Sequence, residues 1–182
     1  MPLILLDRDG VILRNVEGYL NRPDAVEFLP GSLDALARLA HAGYQVAIVT
    51  NQAALSRGVL EMSTVNAIHQ RMVRQVEAAG GRIDAIAICP HGPEQRCNCR
   101  KPQPGLLNEV LERFNAGAAD TPMVGDSLHD IEAGIAAGTR TWLVRSGNGE
   151  TTLAAGRLAD GVQVADDLAD VVTRLLAPAA TS

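Results

Sequence analysis

The stretch Leu3-Ile4-Leu5-Leu6-Asp7-Arg8-Asp9-Gly10 places two carboxylates directly after a short apolar run. The apolar run predicts a buried β-strand, and the glycine after it predicts a turn. In an extended segment residues i and i+2 point to the same side, so Asp7 and Asp9 lie close together. Two neighbouring carboxylates repel each other at neutral pH unless a metal ion or a shared proton offsets their charge. The stretch therefore predicts a strand that ends in a chemical site, with a solvated turn as the alternative.

The composition is typical of a helix-and-sheet protein. The 182 residues suit one domain over residues 1–182, and a hydrophobic content of 47% supplies a core. Because only five aromatic residues are present, we expect that core to consist mainly of Leu, Val, Ile and Ala. Buried parallel strands have this aliphatic character.

Charge and hydropathy exclude several classes of partner. The formal net charge is −5, and no basic stretch is longer than Arg100-Lys101, which argues against nucleic acid binding. No apolar run approaches the ~18 residues that a membrane span needs. The run at 3–6 is too short for a secretory signal and lacks a basic segment before it. We therefore expect a cytoplasmic protein that binds no membrane and, without a surplus amphipathic surface, is a monomer.

The chain alternates between predicted strands and helices. Strands are predicted at residues 3–6, 45–49, 85–88, 122–124, 141–144 and, weakly, 162–164. Helices are predicted from 30–32 to 43, from an N-cap at Ser63 to 80–81, after Pro104, over 131–137 and near 168–176, before a frayed tail at 178–182. Right-handed crossovers then give an α/β fold, a Rossmann-like three-layer sandwich with a mostly parallel central sheet.

Polar residues follow four of the predicted strands. They are the Asp7 stretch, Thr50-Asn51-Gln52, Arg100-Lys101-Pro102 after a cysteine-rich loop, and residues 125–130 with the sequence Gly-Asp-Ser-Leu-His-Asp. Each cluster alone could be a turn, a helix cap or a solvated surface. Ligands bind at the carboxyl ends of strands in such sheets, so four clusters at one edge predict a binding site.

These side chains suit phosphoryl transfer. A phosphate ester dianion repels carboxylates until positive charge neutralises it. Asp7 and Asp126 can hold Mg²⁺ through oxygen, Lys101 can supply a point charge, and Thr50 can donate to a phosphoryl oxygen. One aspartate can attack phosphorus to form an aspartyl-phosphate, while the other protonates the leaving oxygen and then activates water.

A second metal site is predicted in the loop over residues 89–101. Cys89-Pro90-His91 and Cys97-Asn98-Cys99 place four soft or borderline ligands within eleven residues. This set suits a closed tetrahedral Zn²⁺ site, which is structural because no coordination position stays open. A redox pair or unpaired thiols are the alternatives. His41 and His69 have no cysteine neighbours, and we interpret both as helix-surface histidines.

The order and spacing of the four clusters over about residues 3–145 resemble the four motifs of the haloacid dehalogenase superfamily. The resemblance implies that Asp7 is the nucleophile. It also implies that Asp9 is the acid/base and gives its backbone carbonyl to Mg²⁺, while Asp126 is a further Mg²⁺ ligand. Asp130 is then expected to orient Lys101 or a metal-bound water.

The cysteine loop, followed by Arg-Lys-Pro, resembles one branch of that superfamily. The branch holds the heptose-1,7-bisphosphate 7-phosphatases and the histidinol-phosphatase domain, which have no large cap domain. It implies a Mg²⁺-dependent phosphatase of a small phosphorylated sugar. The first candidate reaction is loss of the 7-phosphate from D-glycero-β-D-manno-heptose 1,7-bisphosphate in lipopolysaccharide core supply. Histidinol phosphate and the α-anomer of the heptose are the alternatives.

The same resemblance implies a substrate wall formed by Asn51, Gln52, Arg57 and Arg100. This sequence differs from the heptose enzymes at one place in the wall. Ala53-Ala54 replaces their Ser-Gly, so the serine hydroxyl is absent. Two other functions remain open. A zinc-stabilised binding module would have a degenerate site, whereas every chemical position here is filled. A phosphomutase or kinase-like transferase would need a mobile cap, for which the short connections leave no room.

Overall fold

The computed structural model describes residues 1–178, in which six strands form one parallel sheet. The strands are β1 (Leu3–Leu6), β2 (Gln45–Asn51), β3 (Ala85–Cys89), β4 (Pro122–Gly125), β5 (Arg140–Val144) and β6 (Gln163–Ala165). Their order across the sheet is β3-β2-β1-β4-β5-β6. The two strands that carry the first and fourth polar clusters, β1 and β4, are therefore neighbours, with Leu6 opposite Val124. The predicted α/β fold is confirmed.

Within the described residues, five α-helices connect successive strands and a sixth follows β6. They are α1 (Ser32–His41), α2 (Met62–Ala78), α3 (Gly105–Arg113), α4 (Leu128–Ala137), α5 (Gly149–Ala154) and α6 (Leu168–Leu175). The connection from β1 to α1 carries only a short 3-10 turn, Pro23–Ala25, and no cap domain interrupts the described residues. No helix within residues 1–178 is long and apolar enough to cross a membrane.

The sheet separates two apolar cores. Alternate side chains of a strand point to opposite faces, so Ile4 and Leu6 join one core while Leu3 and Leu5 join the other. Residues of α1, α2 and α6 pack in the first core, and residues of α3 and α4 pack in the second. Because every β1 side chain is buried, this strand holds the residues that follow it at a fixed place in the middle of the sheet.

Two predicted helix starts are wrong. The α2 helix begins at Met62, and extended Glu61 is its N-cap, so Ser63 lies inside the first turn and donates its hydroxyl to Glu61 Oε2. The α4 helix begins at Leu128, three residues before the predicted start. Ser127 Oγ there accepts the amide N–H of Asp130, and Asp130 Oδ2 accepts that of Ser127, which forms a capping box. This box also fixes the Asp130 carboxylate next to the end of β4.

Candidate active site

The carboxyl ends of β1, β2 and β4 meet around a small cavity of about 220 Å³. Asp7, Thr50 and Asp126 follow or end these three strands, and the loop after β3 brings in Lys101. All four side chains are buried. The structure thus brings together the four clusters that the sequence predicted at one sheet edge.

Lys101 is the positive centre of this cluster. Its Nζ lies 2.7 Å from Asp7 Oδ1 and 2.5 Å from Asp130 Oδ1, and it donates to the carbonyl of Val49 at 2.8 Å. Burial opposes a charged lysine, but the carboxylates of Asp130 and Asp7 raise the pKa of Lys101 above its ordinary value. Lys101 therefore stays charged, and Asp130 makes the contact with Lys101 that the sequence suggested.

The side chain of Asn51 holds the backbone of Lys101. Its Nδ2 donates to the Lys101 carbonyl and its Oδ1 accepts the Lys101 amide N–H, each at 3.1 Å. The sequence predicted Asn51 as a substrate contact. In the structure the Asn51 amide is engaged with the backbone of Lys101, so it fixes Lys101 beside Asp7.

Three carboxylates offer a site for a hard cation. One oxygen from each of Asp7, Asp126 and Asp130 lies within 4.8 Å of the other two. Burial raises the pKa of Asp7 to about 8 even though Lys101 opposes the change, and it raises that of Asp126 to about 6. The single ammonium of Lys101 cannot neutralise three carboxylates, so additional positive charge is needed to keep all three ionised. An all-oxygen donor set of this kind fits Mg²⁺.

Asp126 is held from the loop after β5. The backbone N–H of Asn148 donates to Asp126 Oδ2 at 2.8 Å and its side-chain Nδ2 at 3.1 Å, while Asn15 Nδ2 lies at 3.5 Å. Ser146 also donates to the carbonyl of Gly10 at 2.7 Å, which ties the same loop to the turn after β1. Sequence reasoning missed these residues, because they lie in unpatterned loops.

Four ligand atoms converge in the cysteine loop. The Sγ atoms of Cys89, Cys97 and Cys99 and the Nδ1 of His91 all lie within 4.8 Å of one another. Cys89 Sγ is 3.1 Å from Cys99 Sγ and 3.6 Å from Cys97 Sγ, and none of the three cysteines is in a disulfide. The cluster could hold a metal ion, and its thiolate and imidazole donors fit zinc.

Comparison with known proteins places the whole chain in one family. A family model described as HAD-hydrolase-like matches residues 98–171. A curated relative from Bordetella bronchiseptica is 47% identical over 176 residues, which cover 97% of this chain and 98% of the relative. The chain belongs to the HAD-like hydrolase family. The relative is named D-glycero-beta-D-manno-heptose-1,7-bisphosphate 7-phosphatase, as is one from Pseudomonas putida that is 40% identical over 97% of this chain and 100% of its own length.

A solved structure shares the fold of this HAD-like hydrolase almost completely. It is the D,D-heptose 1.7-bisphosphate phosphatase of B. bronchiseptica, complexed with magnesium and phosphate. Its TM-score is 0.94 at 47% identity, and the match covers 97% of this chain and 98% of that one. The relatives of this hydrolase are named phosphatases, and the predicted enzyme class, a phosphoric monoester hydrolase, is confirmed.

In this HAD-like hydrolase, Arg8 and Gln52 hold the carboxylate of Asp9. Arg8 donates to Asp9 Oδ2 from Nη2 at 2.8 Å and from Nε at 3.1 Å, and Nε lies 3.2 Å from Oδ1. Gln52 Nε2 lies 3.3 Å from Asp9 Oδ2 and 2.9 Å from Thr50 Oγ1. Gln52, predicted as a substrate contact, thus touches two of the predicted catalytic side chains.

The prediction that His69 lies on a helix surface is wrong. His69 is only 6% exposed, and its Nε2 lies 3.0 Å from Arg8 Nη1. His69 follows Ile68 at the margin of the apolar stripe of α2, so a wider stripe would have included it. His41 lies at the exposed end of α1, as predicted.

The remaining predicted wall residues lie around two cavities beside the cluster. Ala53 lines one of about 330 Å³ that borders Asp9, so the departure from Ser-Gly falls on its wall. Arg57 is exposed and contacts this cavity's rim through the hydroxyl of Tyr19. Arg100 lines both the site and a cavity of about 560 Å³ under the cysteine loop, and it donates to the His91 carbonyl at 2.9 Å.

Proposed function

We propose that this HAD-like hydrolase is a Mg²⁺-dependent phosphatase that removes the 7-phosphate of D-glycero-β-D-manno-heptose 1,7-bisphosphate. The observation that carries the proposal is the 47% identity over nearly the whole chain to a relative with that name. The contact between Asp7, Lys101 and the neighbouring carboxylates is the geometry that such chemistry requires. One phosphatase domain then spans residues 1–182, with the metal loop at 89–101.

Asp7 is the proposed nucleophile. Its carboxylate lies at the fixed end of β1, and Lys101 contacts Oδ1 at 2.7 Å. Oδ2 then attacks phosphorus, the P–O bond to the sugar breaks, and an aspartyl-phosphate forms. Thr50, buried at the end of β2, and Lys101 stabilise the charge that develops on the phosphoryl oxygens.

Asp9 is the proposed acid and base. It protonates the oxygen of the leaving sugar in the first step, and it takes a proton from the water that hydrolyses the aspartyl-phosphate in the second. Its side chain is 34% exposed, so it has access both to the substrate and to water. Arg8 and Gln52 define where this carboxylate lies.

The carboxylates of Asp7 and Asp126 and the backbone carbonyl of Asp9 are the proposed Mg²⁺ ligands. When bound, the ion neutralises the phosphate dianion and the acidic cluster. Asp130 serves a different purpose, since it caps α4 and orients Lys101. Its contact with the lysine keeps the ammonium next to Asp7.

The cysteine loop is the proposed structural zinc site. Cys89, His91, Cys97 and Cys99 supply four ligands and leave no open position, so the metal has no role in the chemical step. The amide N–H of Arg100 donates to Cys97 Sγ at 3.3 Å, which links the cluster to the Arg100-Lys101 pair. The cysteine loop thereby sets the position of Lys101.

Arg100 and Arg57, together with Gln52 and Asn51, are the proposed contacts for the sugar and its second phosphate. A guanidinium suits either a phosphate or a row of hydroxyls. Ala53 lacks the serine hydroxyl of the heptose enzymes, and this loss affects the sugar contacts and not the phosphoryl chemistry. Histidinol phosphate and the α-anomer of the heptose bisphosphate are therefore the alternative substrates. We further propose a cytoplasmic monomer.

The test is a screen of phosphate release with purified enzyme and Mg²⁺. The substrates are the β- and α-anomers of the heptose bisphosphate, other sugar bisphosphates and histidinol phosphate, with no acceptor added. We expect the highest kcat/KM for the β-anomer, with one phosphate released per molecule. Higher kcat/KM for histidinol phosphate would contradict the proposed substrate, and a requirement for an acceptor would contradict hydrolysis.

A further inference from the structure

The buried guanidinium of Arg8 is shared between the active site and helix α2. Arg8 is 2% exposed. Its Nε and Nη2 face the carboxylate of Asp9, and its Nη1 faces His69 Nε2 at 3.0 Å. A buried guanidinium must have its donors satisfied, so each partner fixes the orientation of the group toward the other.

His69 can accept from Arg8 only as a neutral ring. Burial and the adjacent guanidinium lower its pKa to about 4, so the ring is neutral at physiological pH. The short contact to Nη1 then requires a lone pair on Nε2 and the proton on Nδ1. An aliphatic side chain at this position would leave a buried donor of Arg8 without a partner.

The contacts to Asp9 are unequal between its two oxygens. Oδ2 receives Nη2 and Nε of Arg8 at 2.8 and 3.1 Å and Nε2 of Gln52 at 3.3 Å. Oδ1 has only the 3.2 Å contact with Arg8 Nε. Oδ1 is therefore the less engaged oxygen of this carboxylate. The orientation of Arg8 decides which oxygen is left available.

We propose that His69 is a positioning residue for the reaction: it holds Arg8, and Arg8 presents Asp9 Oδ1 for proton transfer. The inference rests on the proposed role of Asp9 as acid and base. The side chain of His69 contacts Arg8, which is itself neither a proposed catalytic residue nor a proposed metal ligand. Its effect reaches the chemistry only through the guanidinium.

The test compares His69→Leu, which removes the acceptor, with His69→Gln, whose side-chain oxygen can replace it. The enzyme is assayed with Mg²⁺ on two substrates, the best sugar phosphate from the screen and 4-nitrophenyl phosphate. Nitrophenolate leaves without protonation, whereas a sugar alkoxide needs the acid. The quantity measured is kcat/KM, which reports the steps up to transfer of the phosphoryl group to Asp7.

We expect His69→Leu to lower kcat/KM about tenfold on the sugar phosphate and less than about twofold on 4-nitrophenyl phosphate. His69→Gln is expected to stay within about twofold of the wild type on both, because it restores the acceptor. Val76→Ala, a buried change on the same helix about two turns beyond His69, is the matched control. It should lower activity equally on both substrates, if at all.

Equal losses of His69→Leu on the two esters, or a failure of His69→Gln to restore activity, would overturn the inference. Asp9→Asn separates this result from a failure of the proposed function. If Asp9→Asn shows the selective loss and His69→Leu does not, only the positioning role is wrong. If Asp9→Asn shows no selective loss, the acid role is wrong and the inference falls with it. Crystal structures of both variants add a readout without turnover: the Arg8–Asp9 contact should persist in His69→Gln and be lost in His69→Leu.

Discussion

The ammonium of Lys101 lies 2.7 Å from Oδ1 of Asp7, although 94 positions separate the two residues in the chain. The same nitrogen lies 2.5 Å from Asp130 Oδ1, so one buried cation serves two buried carboxylates. A buried charge without a partner is costly, so the ion pairs of Lys101 stabilise this edge of the sheet. The same side chains form the proposed catalytic site.

Replacing Asp7, the proposed nucleophile, should abolish turnover and leave the fold intact. We expect Asp7→Asn to lower kcat by more than ~10³-fold, because the amide cannot form the aspartyl-phosphate. Burial already raises the pKa of Asp7 to about 8, so loss of its charge should not lower the melting temperature without Mg²⁺. Phosphate release and thermal unfolding measure the two effects. Asp24→Asn, an exposed change, is the control, and a fully active Asp7→Asn would refute the assignment.

Removing the shared cation should destabilise the protein. We expect Lys101→Met to lower the free energy of unfolding by about 3 kcal/mol, since Asp7 and Asp130 lose their buried partner. Denaturant unfolding measures this change. The double variant Lys101→Met/Asp130→Asn should recover part of the loss because one orphaned charge is gone. Additive losses in the double variant would show that the two residues do not interact.

The cysteine loop should retain zinc after Mg²⁺ is removed. Metal analysis is expected to find about one zinc per chain, as a closed four-ligand site implies. Cys99→Ser should lower zinc content, melting temperature and activity together, because Lys101 follows two residues later. Asn98→Ala, in the same loop but outside the ligand set, is the control. Full activity in zinc-free Cys99→Ser would show that the loop does not position Lys101.

The buried histidine should make stability depend on pH. The folded-state pKa of His69 is lowered from 6.5 to about 4, so the unfolded chain binds a proton that the native state does not between these values. Its contribution is present above pH 6.5 and is lost as the pH falls toward 4. We expect the wild type to lose about 2 kcal/mol more unfolding free energy than His69→Gln between pH 7 and pH 5.

The difference between the wild type and the variant cancels the contributions of the Asp7 and Asp126 carboxylates. Their raised pKa values make the unfolding free energy fall as the pH rises, which is opposite to the effect of His69. Val76→Ala retains His69 and its helical neighbours and should follow the pH slope of the wild type. Parallel curves for the wild type and His69→Gln would show that the ring is not held neutral.

A methyl group at Gly10 should damage the proposed Mg²⁺ site. Gly10 has φ +85°, and a Cβ built there would lie 2.0 Å from Asp126 Oδ2. We expect Gly10→Ala to lower kcat/KM at least ~100-fold and to raise the Mg²⁺ concentration needed for half-maximal activity, as Asp126 is displaced. Gly18→Ala is the control, since it has φ +79° with no atom within 4 Å of the new Cβ. An equal loss of kcat/KM in both variants would show that backbone strain alone causes it.

The periodicity of the sequence predicted the strands well and the short helices poorly. All six strands overlap the runs that predicted them, and the central strands β1 and β4 are fully buried and therefore apolar on both faces. The α5 helix was missed, since its six residues, Gly149–Ala154, have no apolar stripe. The start of α4 at Leu128 was missed because a capping box, and not hydrophobic spacing, sets it.

In the candidate site too, the sequence predicted some residues and missed some of the contacts between them. Asp7, Thr50, Lys101 and Asp126 were predicted together because parallel strands carry their following residues to one edge. The two contacts of Asn51 with the Lys101 backbone were not predicted, since they depend on how the loop after β3 folds back. The contact of Asn148 with Asp126 was not predicted either, because the loop that supplies it has no pattern of its own.

The sequence by itself determined the parallel sheet, the four polar strand ends and the cysteine–histidine ligand set. These are local properties, fixed by apolar runs and by ligand types within a few residues of one another. The tertiary structure alone decided that His69 is buried against Arg8, 61 positions away, and that Lys101 stands between Asp7 and Asp130. Such contacts depend on the packing of α2 and of the cysteine loop against the sheet, and no spacing along the chain encodes that distance.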